Sequence, residues 1–185
     1  FGRGRPGWHV ECSAMAVKYL GTAIDLHAGG IDLVFPHHEN EIAQSEGASG
    51  TKFVRHWAHC DHLIVDGRKM SKSLGNFYTL RDVLAKGHTR AGVRWLLLSA
   101  HYRQKLNFTF AALEDAENTV KRLGRFVSEM KEAREGKADD EEVEKIISAA
   151  TRDFEAAMDD DLGVPNAIAA IFELVKNANK LASEN

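Results

Sequence analysis

The 185-residue sequence has few cysteines, no long apolar run and a small net charge, and each of these excludes a class of protein. It has only two cysteines, too few for a secreted disulfide framework, so we expect a reducing compartment, the cytoplasm. No apolar run approaches the roughly 20 residues that cross a bilayer, and no signal-peptide pattern opens the chain, so we expect no membrane partner. The net charge of −3 argues against a polybasic nucleic-acid arm but leaves room for a local phosphate-binding patch.

Hydrophobic residues make up 44% of the sequence and charged residues 28%, which is typical of globular proteins and argues against disorder or fibrous repeats. The length suits one large domain or two small ones. The first residue is Phe1 and not Met, and the chain starts within a Gly/Arg-rich stretch. We therefore expect a piece of a longer protein.

Histidine and tryptophan are concentrated in the first part of the chain. Seven of the nine histidines precede residue 63, and all three tryptophans precede residue 100. Past Thr109 the composition turns to Ala, Glu, Lys and Leu, which favour helices. This predicts a mixed front half and a helical rear half, with the boundary between about Phe77 and Phe110.

Helix and strand signals alternate in the front half, which is typical of α/β proteins. The predicted helices cover 9–20, 37–46, 79–86 and 89–100, with ends at Gly21, Gly47 and Gly87 and starts at Pro36, Thr79 and Thr89. The predicted strands cover 23–26, 53–58 and 63–65, the last followed by an Asp66-Gly67 turn.

The rear half predicts three amphipathic helices and hence a bundle. The first has an apolar stripe at Leu113, Ala116, Val120, Leu123, Val127 and Met130. After a polar break at 136–140, with Asp139 or Asp140 as a cap, the second buries Val143, Ile146, Ile147, Ala150, Phe154 and Met158. Pro165 starts the third, with Ile168, Ile171, Val175, Ala178 and Ala182 on one side.

Residues 69–73 read KMSKS and residues 74–76 read LGN, after a predicted strand hairpin. Two ammonium groups flanking a hydroxyl-bearing turn can close over a triphosphate and neutralise pyrophosphate as it leaves. Loop closure would also exclude water. The alternative is an ordinary Lys/Ser-rich surface turn. The complete motif resembles the signature of class I aminoacyl-tRNA synthetases.

A second constellation comprises GWHVEC over residues 7–12 and FPHHENE over residues 35–41. On a helix His37 and Glu41 share one face and can bind one metal ion, and Cys12 would add a thiolate from another helix. Sulfur, nitrogen and oxygen together suit zinc. Taken separately, a His/Glu surface pair and a buried free cysteine explain the same residues.

The segment HAGGID over residues 27–32 is a third motif. Paired glycines let a nucleotide lie against the backbone, and the Asp32 carboxylate can accept from ribose hydroxyls. Glycine pairs followed by aspartate also describe many ordinary turns.

Together these segments resemble the cysteinyl-tRNA synthetase family almost residue by residue, and the similarity extends to the MDDDLGVPNA run at 158–167. Ala28 replaces one glycine of the family's HGGGxD pattern, and Cys60-Asp61-His62 departs from its usual small-residue-plus-glycine pattern. The resemblance implies that Cys12, His37 and Glu41 bind zinc. The family's fourth ligand is a cysteine of the N-terminal half, which these residues lack, so zinc would bind here with three protein ligands and water, or weakly.

The resemblance also implies roles in binding and catalysis. Zinc would select cysteine over serine because it binds a thiolate better than an alcohol. Trp8 would wall the amino-acid pocket, the alternative being a core tryptophan. Lys72, supported by Lys69, would carry transition-state charge on the phosphates. The implied ATP-binding residues are Lys72, Lys69, Ser71, Ser73, His27, Gly29, Gly30 and Asp32.

The implied fold is the second half of a class I, Rossmann-like α/β catalytic domain followed by an all-α helical bundle. We place the catalytic half at 1–78, stem-contact helices at 79–109 and an incomplete bundle at 110–185. The implied parent enzyme is a monomer that joins cysteine to tRNA(Cys) with ATP and Mg2+. We expect the piece alone to be inactive.

Two other functions stay open. A paralogous ligase could use the same zinc and ATP sites to join cysteine to an amino-sugar, and a non-catalytic zinc-binding or tRNA-binding module is a third candidate. The sequence suggests no role for Cys60, His38, His56, His62 and His88 beyond surface or core residues.

Overall fold

The computed structural model describes residues 2–4, 6–132 and 140–184. The predicted break at 136–140 and its candidate cap Asp139 lie outside these residues, apart from Asp140. The chain divides into two compact units: Phe1–His62 with Tyr102–Gln104, and Leu63–His101 with Lys105–Asn185. Each unit is described by itself.

The first unit pairs two parallel strands with two helices. Its elements are α1 (Trp8–Leu20), β1 (Ile24–Gly30), a 3-10 turn (Ile31–Leu33), a π turn (Val34–His38), α2 (Glu39–Ser49) and β2 (Val54–Cys60). Helix α1 ends at Gly21 as predicted, since this glycine has φ of +90° and its N–H donates to the Val17 carbonyl at 3.1 Å. Strand β1 lies parallel to β2 with Gly29 opposite His59.

Helix α2 differs from its predicted bounds of 37–46 at both ends. It begins at Glu39 and not at His37, because residues 34–38 form a π turn in which Phe35 is extended, with φ of −137°. It continues through Gly47, its predicted end, to a left-handed cap at Gly50 with φ of +70°. Gly47 does not adopt the positive φ of a helix-ending glycine, whereas Gly50 does.

The core of the first unit is small. Phe53, Val54 and Ile24 are buried, and Val17 of α1 and Trp57 of β2 pack against them. This cluster holds α1 against the strand pair.

The second unit begins with a three-stranded sheet in the order β4-β3-β5. The strands are β3 (Leu63–Val65), β4 (Arg68–Lys69) and β5 (Leu106–Phe108). The predicted Asp66-Gly67 turn joins β3 to antiparallel β4, with φ of +49° at Asp66 and +73° at Gly67. Strand β5, which the sequence did not predict, lies parallel to β3.

Helices α3 (Leu80–Ala85) and α4 (Arg90–Leu98) lie between β4 and β5 in the chain, each slightly shorter than predicted. Thr79 caps α3 in a reciprocal capping box with Asp82, and the Thr89 hydroxyl accepts from the Gly92 N–H at the start of α4. Both predicted N-caps are therefore confirmed.

Three long helices complete the second unit: α5 (Phe110–Glu132), α6 (Asp140–Asp159) and α7 (Val164–Glu184). The predicted stripe on α5 is buried at Leu113 and Ala116 but exposed at Val127 and Met130. On α6, Ile147 and Phe154 are exposed, contrary to the predicted buried face. Helix α6 packs against α7, and part of its apolar stripe stays uncovered in the described residues.

The core of the second unit lies where the sheet meets α3, α4 and the start of α5. Its buried side chains are Val65, Val83, Leu96, Phe108, Leu113 and Ala116. Among the described residues, no helix combines the length and apolar character needed to cross a membrane.

Candidate functional site

Cys12, His37 and Glu41 converge in the first unit. Cys12 lies on α1, His37 in the π turn and Glu41 on α2, and each offers one ligand atom within 4.8 Å of the others. The Nε2 of His37 lies 3.7 Å from the Oε1 of Glu41. Glu41 is 1% exposed, so its carboxylate is fully buried.

The four-residue spacing of His37 and Glu41 brings them together although His37 precedes α2. His38 and Glu39 have right-handed helical backbone angles, so the chain turns from His37 towards Glu41 as a helix would. The predicted shared face therefore exists without a continuous α-helix.

The electrostatics of this group suit a divalent cation. Burial raises the pKa of the Cys12 thiol, and the negative charge of the Glu41 carboxylate raises it further. A bound cation would counter both effects by stabilising the thiolate and offsetting the buried carboxylate charge. With one sulfur, one nitrogen and one oxygen donor, the residues fit zinc.

A second group shares Glu41. The Nε2 of His27 lies 2.9 Å from the Oε2 of Glu41, and His38 completes a set of three ligand atoms within 4.8 Å. His27, which the resemblance assigned to ATP, therefore contacts the predicted metal ligand. Burial, with neighbouring His27 and His59, lowers the pKa of His38 to about 4, so His38 is neutral at pH 7. Its Nδ1 lies 2.7 Å from the Nε2 of His59.

Trp8 and His9 both contact the ring of His37. The Trp8 ring stacks on the His37 ring with centroids 4.5 Å apart, and Trp8 is 61% exposed. The Nδ1 of His9 lies 2.7 Å from the Nδ1 of His37. His9 was not predicted as a site residue, although its position three residues before Cys12 puts both on one face of α1.

The glycine pair ends β1, next to the same group. A Cβ on Gly29 would lie 2.7 Å from the Cε1 of His38, so the packing of this histidine requires glycine here. A Cβ on Gly30 would overlap the Asp32 carboxylate, which is 62% exposed. Asp32 is therefore accessible to a ligand at the carboxyl end of a parallel strand.

An open pocket of about 330 Å3 adjoins these residues. Cys12, His37 and Glu41 line one part of it, and Leu26 and Leu33 supply apolar wall. The pocket combines an apolar lining with a few convergent polar groups, as small-molecule sites do.

The KMSKS motif forms a compact loop in the second unit. Lys69 ends β4, and Lys72 begins a 3-10 turn capped by the Ser71 hydroxyl, which accepts from the Leu74 N–H at 3.3 Å. Ser71 and Ser73 hydroxyls lie 3.2 Å apart. The Nζ of Lys72 lies 5.6 Å from the centre of the Phe77 ring.

A parallel strand pair with polar groups at its carboxyl end is the arrangement at which α/β domains bind nucleotides. The family model described as "tRNA synthetases class I (C) catalytic domain" matches residues 1–118, and the DALR domain model matches residues 153–185. The chain belongs to the class I (C) tRNA synthetase family, which confirms the resemblance and the fold class.

Two curated relatives are named cysteine–tRNA ligase. The one from Protochlamydia amoebophila is 52% identical over all 185 residues, and the one from Brachyspira hyodysenteriae is 46% identical over 97% of the chain. The chain spans 38% of the length of each relative.

Solved structures of class I synthetases share the fold. A ternary complex of Agrobacterium radiobacter K84 LeuRS with tRNA and LeuAMS has a TM-score of 0.67 at 18% identity, covering 86% of this chain and 23% of that one. Mycobacterium tuberculosis methionyl-tRNA synthetase with methionyl-adenylate has a TM-score of 0.66 at 24% identity, covering 84% and 33%. At these identities the likeness concerns the fold alone.

Proposed function

We propose that these residues form part of a cysteine–tRNA ligase. The enzyme would activate cysteine with ATP to cysteinyl-adenylate, release pyrophosphate, and transfer cysteine to the 3′ end of tRNA(Cys). The observation that supports this most directly is the convergence of Cys12, His37 and Glu41 beside an open pocket in a chain of this family.

Substrate selection would take place at these three residues. A zinc ion held by Cys12, His37 and Glu41 would bind the thiolate of cysteine, which serine cannot supply. His27 contacts Oε2 of Glu41, which leaves Oε1 on the side of His37. Trp8 stacks on His37 and would wall the pocket around the substrate.

Nucleotide binding would use the carboxyl end of β1. Gly29 and Gly30 offer backbone without side chains, and the exposed Asp32 carboxylate would accept hydrogen bonds from ribose hydroxyls. His27 would lie between the bound adenosine and Glu41.

Phosphate chemistry would use the KMSKS loop. Lys69 and Lys72 have exposed side chains. Ser71, between the two lysines in sequence, and Ser73, directly after Lys72, supply hydroxyl groups. As pyrophosphate leaves the MgATP substrate, the two ammonium groups would neutralise the charge that develops on it. Because this contact strengthens towards the transition state, it would accelerate adenylate formation.

We further propose the domain roles predicted from the sequence. Residues 1–78 would be the catalytic half, 79–109 would lie beneath the tRNA acceptor stem, and 110–185 would be a bundle that contacts tRNA or braces the domains. A monomer in the cytoplasm remains our proposal for the parent enzyme.

The test is made with a full-length enzyme carrying these residues. Cysteine-dependent ATP–pyrophosphate exchange together with charging of tRNA(Cys) would support the proposal. Exchange without charging would favour the cysteine:amino-sugar ligase, and the absence of exchange would overturn both. We predict no exchange by the 185 residues alone.

A further inference from the structure

The side chain of Asn76 bridges two backbone groups in the first half of the KMSKS loop. Its Oδ1 accepts from the Ser71 backbone N–H at 2.9 Å, and its Nδ2 donates to the Lys69 carbonyl at 3.1 Å. We propose that Asn76 is a positioning residue for Lys69 and Lys72, an inference that rests on the proposed function of the loop.

Two further bonds lie inside the loop that Asn76 closes. The Ser71 hydroxyl accepts from the Leu74 N–H, and the Gly75 N–H donates to the Lys72 carbonyl at 3.2 Å. Gly75 has φ of +67°, and this left-handed residue turns the chain back towards Lys69. Lys72 therefore occupies a backbone position fixed from both sides.

The residues that hold the loop are distinct from those that would act on phosphate. Met70 is half-buried and packs against the core of the second unit, and Asn76 is half-buried. Lys69 and Lys72 are exposed. The loop thus has a fixed base and two exposed lysine side chains, as expected if the lysines reach for a ligand while the backbone stays in place.

Asparagine is suited to this bridge because its carboxamide offers both a donor and an acceptor. Alanine at position 76 would remove both bonds. Aspartate would keep the acceptor for Ser71 and lose the donor for Lys69. Asn107 supplies a matched control, since its Oδ1 accepts from the Gly67 N–H at 2.8 Å in the same hairpin, away from residues 69–76.

The experiment uses the full-length enzyme and measures pyrophosphate exchange and amide hydrogen exchange at Ser71. In Asn76→Ala we expect adenylate formation about 10- to 100-fold slower, because misplaced charged groups lose transition-state contact, with the KM for cysteine unchanged. Ser71 should lose amide protection in Asn76→Ala and keep it in Asn76→Asp. Asn107→Ala should leave both the rate of adenylate formation and the amide protection of Ser71 unchanged.

A double-mutant cycle separates positioning from a general structural role. If Asn76 acts through the two lysines, Asn76→Ala should slow an enzyme that already carries Lys69→Ala and Lys72→Ala less than about threefold. An equal effect in both backgrounds, or unchanged Ser71 exchange in Asn76→Ala, would overturn this inference and leave the proposed function intact. A wild-type enzyme without exchange activity would overturn both.

Discussion

The side chain of Glu117 on α5 packs directly against Gly92 of α4, where any Cβ would overlap the Cγ of the glutamate. This close packing lets the Glu117 carboxylate accept from the Thr89 backbone N–H and lie 3.4 Å from the Nδ1 of His88. An anion at the N-terminus of a helix is favourable, so α5 stabilises the start of α4. The contact joins the bundle to the helices that precede it in the second unit.

We expect Gly92→Ala to destabilise the chain by about 1–3 kcal/mol, the usual cost of overpacking. Alanine normally stabilises a helix interior relative to glycine, so the sign of this change is diagnostic. Urea unfolding followed by circular dichroism measures it.

Gly124 of α5 is the matched control. A Cβ there would meet nothing within 4 Å, so Gly124→Ala should raise the free energy of unfolding by about 0.5–1 kcal/mol. Equal effects of the two substitutions would contradict the crowding of Gly92 by Glu117.

Glu117 also makes stability depend on pH. The Thr89 backbone N–H, helped by the Thr89 hydroxyl and His88, holds the pKa of Glu117 below its ordinary value of 4.5 against the opposing effect of burial. A lowered folded pKa means that the carboxylate stabilises the fold fully above the unfolded pKa and ceases to do so as the pH falls through the folded value. Glu117→Gln should therefore lower the free energy of unfolding by about 1 kcal/mol at pH 7 and by less below pH about 4.

Glu114 provides the control for this titration. It lies one turn earlier on α5 and is exposed, so Glu114→Gln should change the free energy of unfolding by only a few tenths of a kcal/mol at either pH. The comparison is made from the urea midpoints of the wild type, Glu117→Gln and Glu114→Gln between pH 3 and pH 7. A pH-independent cost of Glu117→Gln would rule out the role of its charge.

Short-range signals in the sequence predicted many of the element boundaries. Gly21 ends α1, Thr79 and Asp82 start α3, and Asp66-Gly67 turns the hairpin, because each depends on backbone angles or bonds within a few residues. The convergence of His37 with Glu41 was predictable for the same reason.

Contacts between residues far apart in the chain could not be predicted from the sequence. Strand β5 is a strand because Leu106–Phe108 pairs with β3, about 40 residues earlier, and three residues carry no periodicity of their own. The contact of the His9 and His37 side chains and the bond of the Glu117 carboxylate to the Thr89 backbone N–H each join residues 28 positions apart. Nothing in the local sequence marks such partners.

The two cysteines offer a direct test of the proposed metal centre. In the full-length enzyme, Cys12→Ser should lower the zinc content and remove the preference for cysteine over serine, because a hydroxyl is a poor zinc ligand. Cys60 is an exposed free cysteine outside the ligand group, so Cys60→Ser should change neither. Atomic absorption and exchange assays with both amino acids measure these effects. Zinc content unchanged in Cys12→Ser would remove Cys12 from the site.

Lys72→Ala tests the proposed chemistry of the loop. Because its ammonium group would contact charge that develops on the phosphates, we expect adenylate formation to slow about 100- to 1,000-fold while the KM for cysteine stays nearly constant. Lys145→Ala is the control, since this exposed lysine pairs with Glu141 on α6 and should leave the rate unchanged. Single-turnover adenylate formation measures both. An effect of Lys72→Ala confined to the KM for cysteine would show that Lys72 binds substrate without stabilising the transition state.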